Sequence, residues 1–374
     1  MSHKRSLFII TAASFAVLLA GVLFLFIYRH TIAKGKTGGI SILRVAAQFE
    51  TKPVPQVASE DAADDPAIWI HPVYPDSSRI IGTDKKGGLA VYDLKGNEIF
   101  YYSDGEMNNA DLRYRFPLKD DTIDILAVSN RTSNSISIYA ISRNGSLIKI
   151  HKRPITTEMD DEVYGLCMYK SLKSGKYYVF MNNKYGVVEQ WELFSSENQV
   201  DARIVRKLKL ATQVEGMTAD DETATLFVGE EDEGIWRFSA EPDGPLEGTL
   251  ILGSCEKNNT NIKYDIEGLA IYRHGGSGYL IASSQGNDSY AVFRGEVPNK
   301  YLGSFRVVDG VTDGTEETDG LDVTNMSLGS TFPHGLLVIQ DGSNKDGGNP
   351  APQNFKLVSW DSVAVKFSPP LENR

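Results

Sequence analysis

Cysteine is nearly absent: the 374 residues hold two, Cys167 and Cys255. Two thiols cannot build a disulfide scaffold, nor a cysteine zinc site by themselves. We expect both to be free, with structural roles. Histidine is scarce as well, and none of the six pairs with another at metal-ligand spacing. Positive charge is in deficit, with 38 Lys and Arg against 49 Asp and Glu, a net charge of -11. Such a chain is a poor partner for nucleic acid, whose affinity rests on Lys and Arg neutralising phosphates. Any anionic ligand needs a local exception to the global charge. Beyond residue 60 there is no helical period and no run apolar enough to span a membrane. What the chain does hold is 34 glycines, 17 tyrosines and 41% hydrophobic residues. That is enough to bury a core, excludes a disordered chain, and leans toward short strands and tight turns.

One long hydrophobic run stands at the N-terminus. Leu7 to Tyr28 is 22 residues without a charge, preceded by Lys4 and Arg5 and followed by Arg29, Lys34 and Lys36. As a helix it spans roughly 30 Å, one hydrocarbon core. It ends in Phe24-Leu25-Phe26-Ile27-Tyr28, which suits signal cleavage badly. Residues 1–36 are therefore expected to be a hydrophobic helix that anchors an exported chain, facing the periplasm or exterior, with a cleaved signal and a secreted protein as the alternative. Basic residues on both flanks leave orientation open. Residues 37–60 read as linker, in which Ile40 to Phe49 could form one strand.

Self-similarity dominates the remainder. Six short segments read alike: Asp65-Pro66-Ala67-Ile68, Ala110-Asp111-Leu112, Tyr164-Gly165-Leu166, Glu215-Gly216-Met217, Glu267-Gly268-Leu269 and Asp319-Gly320-Leu321. Between their first residues the steps are 45, 54, 51, 52 and 52. Each segment is followed by further β-rich runs separated by turn signals such as Lys95-Gly96-Asn97 and Arg143-Asn144-Gly145. Units of about 50 residues with four strands each have the period of propeller blades. The expectation is an all-β fold: a six-bladed β-propeller over residues 61–366, four antiparallel strands per blade, with a tail at 367–374. The last repeat lacks a fourth strand, so the strand within 40–49 should close the ring. A β-sandwich would not explain six repeats at such similar steps.

In such a blade the start of the first strand and the end of the second meet on one face. First-strand starts carry Asp64/Asp65, Asp111, Tyr164, Glu215, Asp265/Glu267 and Asp319. Second-strand ends carry Lys85, Lys86, Arg131, Lys184, Glu230, Glu231 and Asp341. One face thus gathers a basic sector from blades 1 to 3 and an acidic sector from blades 4 to 6, which Asp313 joins. Clustered carboxylates either shift their pKa values or bind cations. Oxygen donors without His or Cys select hard cations, calcium above magnesium. Cations beside a metal cluster form the usual clamp for phosphoryl groups. An acidic chain can in this way bind a polyanion.

Several motifs are specific: Asp64-Asp65-Pro66-Ala67-Ile68-Trp69, Asn108-Asn109-Ala110-Asp111-Leu112-Arg113-Tyr114, Asp161-Glu162-Val163-Tyr164-Gly165, Glu230-Glu231-Asp232-Glu233, Asp265-Ile266-Glu267-Gly268-Leu269 and Ser283-Ser284-Gln285-Gly286-Asn287. With these the chain resembles the β-propeller phytases, the calcium-dependent alkaline phytases, from about Asp61 to Trp360. The resemblance implies hydrolysis of myo-inositol hexakisphosphate (phytate) and lower inositol phosphates, bound as calcium salts, by direct attack of water. It implies that Asp64, Glu215, Asp265, Glu267 and Asp313 ligate several Ca²⁺ ions, with Asp65 and Asp341 in the same cluster. Lys85, Arg131 and Tyr164 would hold the phosphate under attack, forming the catalytic group with Glu215. Lys86, Lys184, Glu231 and Asp319 would line a neighbouring site for a second phosphate. Two positions depart from the family pattern. An acidic ligand expected before Asp61 faces Lys52 or its neighbours, and an amide expected at 341 is Asp. The competing readings are a six-bladed calcium lactonase or phosphotriesterase, whose site has no basic sector, and a non-catalytic binding propeller. A monomer is expected.

Overall fold

The computed structural model describes residues 41–56, 61–276 and 278–373. The hydrophobic run expected in 1–36 lies outside them. Among the described residues no helix is long and apolar enough to cross a membrane.

Six blades follow one another along the chain, each built on an antiparallel meander, with strands a to d in chain order in blades 1 to 5. Blade 1 is Ala63–Trp69, Arg79–Asp84, Gly88–Tyr92 and Glu98–Tyr102. Blade 2 is Met107–Leu118, Asp121–Asn130, Ser135–Ile141, and an outer edge split between Leu147–Lys149 and Ile155–Thr156. Blade 3 is Val163–Lys170, Tyr177–Asn183, Val187–Ser196 and Gln199–Lys209. Blade 4 is Val214–Asp220, Thr225–Glu230, Gly234–Ser239 and Thr249–Leu250. Blade 5 is Ile266–Tyr272, Tyr279–Ser284, Ser289–Arg294 and Tyr301–Val307. Blade 6 has Leu321–Thr324, Leu336–Asp341 and Asn354–Ser359. The a strands of successive blades touch in turn, and that of blade 6 touches that of blade 1, so the sheets form a closed six-bladed propeller.

Closure differs in detail from the single strand expected at 40–49. Phe49–Glu50 pairs antiparallel with Asn354–Ser359 as the fourth strand of blade 6. Leu43–Val45 instead pairs parallel with Tyr301–Val307, adding a fifth strand to blade 5. Between them Val45 and Ala47 are buried with Phe305, Val307 and Trp360, which draws the strap across the seam between these two blades. The expected tail is likewise part of the core. Trp360–Ala364 forms one short helix, Phe367 and Leu371 are buried, and the Trp360 indole donates to the Glu372 carbonyl at 3.0 Å.

The repeated motif is a β-bulge. In blades 1 to 5 the pairing of strand a with strand b shifts register at Ala63/Pro66, Met107/Ala110, Val163/Leu166, Val214/Met217 and Ile266/Leu269. A bulge re-aims its side chains and increases local twist. The equivalent bulge residues are Asp64, Asn108, Tyr164, Glu215 and Glu267. In blades 1 and 2 these lie one and two positions earlier than the sequence repeat takes. The glycine that follows in blades 3 and 4 has a steric cause. A Cβ on Gly165 would stand 1.9 Å from the Glu215 carbonyl oxygen, and one on Gly216 2.1 Å from that of Glu267. Neighbouring inner strands approach too closely for any side chain. Backbone groups at these approaches are met by polar residues of the b strands: Ser129 donates to the Tyr164 carbonyl at 2.7 Å, and Asn182 to that of Glu215 at 2.8 Å.

Candidate active site

Each a strand begins, and each b strand ends, at one mouth of the central channel. The bulges turn Asp64, Asn108, Tyr164, Glu215 and Glu267 into that mouth. Lys85 and Glu231, the residues just after two b strands, reach in beside them. Carboxylate oxygens of Glu215, Glu231 and Glu267 all lie within 4.8 Å of one another, and all three residues are buried. The Tyr164 hydroxyl lies beside the Glu215 carboxylate, and Asn108 Nδ2 donates to Glu215 Oε1 at 2.8 Å. Lys85 Nζ sits 2.7 Å from Asp319, 2.7 Å from Asp61 and 3.4 Å from Asp64. Arg131 pairs with Glu162 at 2.7 Å and also reaches Asn108 Oδ1 at 3.4 Å.

The electrostatics follow from burial. Desolvation, then Glu215 and Asp319 against the opposing Lys85, holds the Asp64 carboxyl well above the usual range. Burial and then Glu215 do the same for Glu267. Glu231 is pushed up to about 8 by burial and by Glu215 and Asp265. Asp319 is pushed up to about 6, chiefly by burial, with Lys85 opposing. Burial alone would lower the Lys85 pKa, but Asp64, Asp319 and Asp61 carry it above the ordinary lysine value. Lys85 therefore stays charged. Tyr164 stays protonated, because burial and the Glu215 and Glu267 carboxylates oppose its ionisation.

Both oxygens of Asp64, Oε1 of Glu231 and Oε2 of Glu267 are buried without a hydrogen-bond partner. Buried polar atoms are normally satisfied. An all-oxygen donor set with orphaned lone pairs fits a hard cation such as Ca²⁺. Asp265, at the edge, raises the pKa of Glu231 and has its own raised, first by burial and then by Asp232 and Glu215. Lys184 is exposed and lies over the Tyr164 ring, its Nζ 4.4 Å from the centroid. Lys86 is exposed, and its backbone N–H donates to Asp84.

Three expected ligands stand apart from this cluster. Asp65 occupies the slot that glycine fills in blades 3 to 6, so its carboxylate is turned to the next blade and accepts from the Ala110 N–H at 3.1 Å. Asp313 and Asp341 gather around Lys356, whose ammonium is fully buried. It pairs closely with Asp313, lies 3.2 Å from Asp341, and donates to Glu50 at 2.5 Å and to Asn344 Oδ1 at 2.9 Å. Glu50 is an acidic residue before Asp61 that the sequence reading did not single out. Three carboxylates about one ammonium keep a surplus of negative charge, and burial pushes Asp341 up to about 6 against Lys356.

Sequence reasoning missed Asn108, Asp61 and Lys356. Asn108 had a signal: it is the blade 2 equivalent of Tyr164 and Glu215 once the bulge is counted. Lys356 had none, because it lies inside a strand 43 residues from Asp313.

The chain matches the phytase family model over residues 9–372. The chain belongs to the phytase family. A curated relative of that family, the 3-phytase of Bacillus subtilis (strain 168), is 45% identical over 329 residues, covering 86% of this chain and 85% of that one. Membership makes the chain an enzyme, a phosphoric monoester hydrolase of the phytase type. Among solved structures, the β-propeller domain of Myceliophteria thermophila Cps50 (Swd1) is similar at 10% identity and a TM-score of 0.44, over 79% of this chain and 83% of that one.

Proposed function

We propose that the chain releases inorganic phosphate from phytate and lower inositol phosphates in a calcium-dependent reaction at the Glu215 mouth. One observation carries the reading: carboxylate oxygens of Asp64, Glu231 and Glu267 are buried without a hydrogen-bond donor, beside two cations, Lys85 and Arg131. Calcium held there would supply the charge that activates an attacking water and neutralises phosphoryl oxygens. The protein's own groups do the rest. Lys85, kept charged by its carboxylates, and Arg131 offer donors to the equatorial oxygens of the phosphate under attack. Protonated Tyr164 donates from the other side and holds Glu215 in place. Lys184, with Glu231 near, fits a second phosphate on the same ring. Asp265 belongs to the metal side of the cluster. Asp313 and Asp341, with Glu50, form a separate cation-binding corner in which Lys356 supplies one positive charge.

The uncharged run Leu7–Tyr28 supports an exported chain held at a membrane. The test of the reaction is phosphate release from phytate by the full chain, with calcium and after chelation. Release that depends on calcium, with a melting temperature that falls on chelation, is expected. Full activity in a chelated sample would sink the calcium reading, and inertness toward phytate with calcium present would sink the substrate.

A further inference from the structure

Two arginines at the outer edge of blade 5 stand side by side without a counter-ion. Leu43–Val45 and Tyr301–Val307 pair in parallel, with Arg44 opposite Arg306. Neighbouring strands lie roughly 4.8 Å apart, and partners in register point to the same face. Leu43 and Val45 pack with Phe305 and Val307 in the core. Alternation therefore sends Arg44 and Arg306 together to the other face. Like charges directly opposite each other destabilise a sheet. Among the described residues, neither guanidinium has an ion pair or a hydrogen bond. Arg306 Nε is moreover buried and donates to nothing. It has lost its water and gained no bond in return, a costly state for a charged donor.

Both arginines line a pocket of about 250 Å³, with Val308, Gly314 and Ser343. It opens on the mouth face, because Tyr301–Val307 runs toward that face. It lies on the outer strands of blade 5, away from the carboxylates around Glu215. Four acids border the pocket, and each is already engaged. Asp288 accepts from the Glu317 N–H at 3.1 Å and Asp309 from the Gly314 N–H at 3.0 Å. Asp313 accepts from the Lys345 N–H at 2.7 Å and pairs with Lys356. Glu316 pairs with the Lys345 ammonium at 3.2 Å. The acids are spent on backbone and lysine, and the guanidiniums are not. Two adjacent planar forks match a tetrahedral oxyanion with several acceptor oxygens. Water alone satisfies the exposed Arg44, but it does not reach the buried Nε of Arg306.

We propose that Arg44 and Arg306 form a further oxyanion site, outside the mouth, for inorganic phosphate or the phosphate group of an ester. The site needs neither calcium nor the reaction at Glu215, so it goes beyond the function proposed above. An anion between the two arginines removes their repulsion, so binding should also tie Leu43–Val45 more firmly to blade 5.

The experiment uses the full chain in detergent, freed of metal by chelation and dialysis. Without metal the mouth carries a surplus of carboxylates and repels phosphate, which leaves the arginine pair to be read. Calorimetric titration with inorganic phosphate should show one site, and the melting temperature should rise with phosphate. Arg306→Gln should weaken that binding at least about tenfold, the scale of one lost hydrogen bond to a charged group. Without phosphate it should melt no lower than the parent, since the like-charge pair is gone. Arg44→Gln, at an exposed position, should keep the fold and weaken binding several-fold. Titration with phytate separates the two sources. Affinity well above that for inorganic phosphate assigns the site to a phosphate ester, and equal affinity assigns it to free phosphate. Binding that is absent from the parent, or unchanged in both variants, overturns the site. With calcium restored, kcat on phytate should be unchanged in Arg44→Gln. A kcat that falls along with the binding would make the pair part of the reacting mouth and overturn a separate site.

Discussion

Both ends of the central channel are lined with carboxylates, yet the two sets do different things. At the far end Asp111 accepts from the Met168 N–H at 2.7 Å, Asp322 from Ile68 at 2.8 Å and Asp221 from Lys170 at 3.0 Å. Asp65, turned the same way, accepts from Ala110. Each of these bonds ties one blade to its neighbour, and Arg113 bridges Asp111 and Asp221 at 3.0 Å to each. These acids around a cavity of about 300 Å³ are staples of the ring. At the mouth, Asp64, Glu231 and Glu267 keep buried oxygens that accept no hydrogen bond from the protein. Backbone donors, not acidity, separate a structural carboxylate from one free to bind a ligand.

The sharpest way to break this comparison is to remove one acid from each end. Glu215→Gln should lower phosphate release by about two to three orders of magnitude, the scale for one lost charge-stabilising group at a reacting centre. Without metal it should melt no lower than the parent, because it relieves repulsion among like charges. Asp111→Asn should do the opposite. It leaves Arg113 buried and short of a partner, at a cost of about 3 kcal/mol, while kcat changes little. Melting curves and phosphate assays on the two variants decide. A stable but inactive Asp111→Asn protein would show that the ends are not separable.

Asn108 sharpens the boundary between the two sets. It touches Glu215 and Arg131 at once and is fully buried. Groups that orient metal ligands typically cost about 10–100-fold in affinity or activity when lost. Asn108→Ala should therefore weaken calcium binding and kcat on that scale, with KM for phytate less affected. Competition against a calcium-sensitive dye reads the first, and steady-state kinetics the second. A change in KM alone would place Asn108 on the substrate side.

Six blades were legible in the sequence because five of the inner strands repeat a bulge and four blades a glycine. The register was legible only where that glycine stood. In blades 1 and 2 Asp65 and Asn109 replace it, which moved Asp65 into the expected metal cluster and hid Asn108. Of the site, Asp64, Lys85, Tyr164, Glu215, Glu231, Glu267 and Asp319 come together as the loop positions imply. Asp313 and Asp341 do not, since local pattern cannot show that a distant strand delivers the Lys356 ammonium between them.

A smaller effect concerns the far end and pH. Asp322 is pushed up to about 7, first by burial and then by Asp111, against the N–H groups of Ile68 and Val323. A carboxyl whose folded pKa is raised holds a proton that the unfolded chain releases sooner. Its contribution to stability is complete below the unfolded value of 3.8 and is lost as pH rises through about 7. The parent should thus lose stability between those limits, and Asp322→Asn should flatten the loss. Denaturant midpoints across that range would measure it. An unchanged slope in the variant would mean that other acids carry the pH dependence.

The mildest expected effect lies at the exposed rim of the mouth. Lys184 is held by the Tyr164 ring rather than by a carboxylate, and its ammonium faces solvent. It lies one blade beyond Arg131, so a phosphate it grips is not the one under attack. Lys184→Ala should raise KM for phytate several-fold with a smaller change in kcat, the signature of lost binding rather than lost transition-state stabilisation. On a substrate with a single phosphate the substitution should matter little, since no second phosphate is there to lose. The difference between parent and variant should also shrink in salt, as the screening length falls from about 10 Å at 0.1 M to about 3 Å at 1 M. Glu215→Gln, buried at the mouth, should show no such relief. Equal damage from Lys184→Ala on singly and multiply phosphorylated substrates would merge the two phosphate positions into one, leaving the contrast between the channel ends intact.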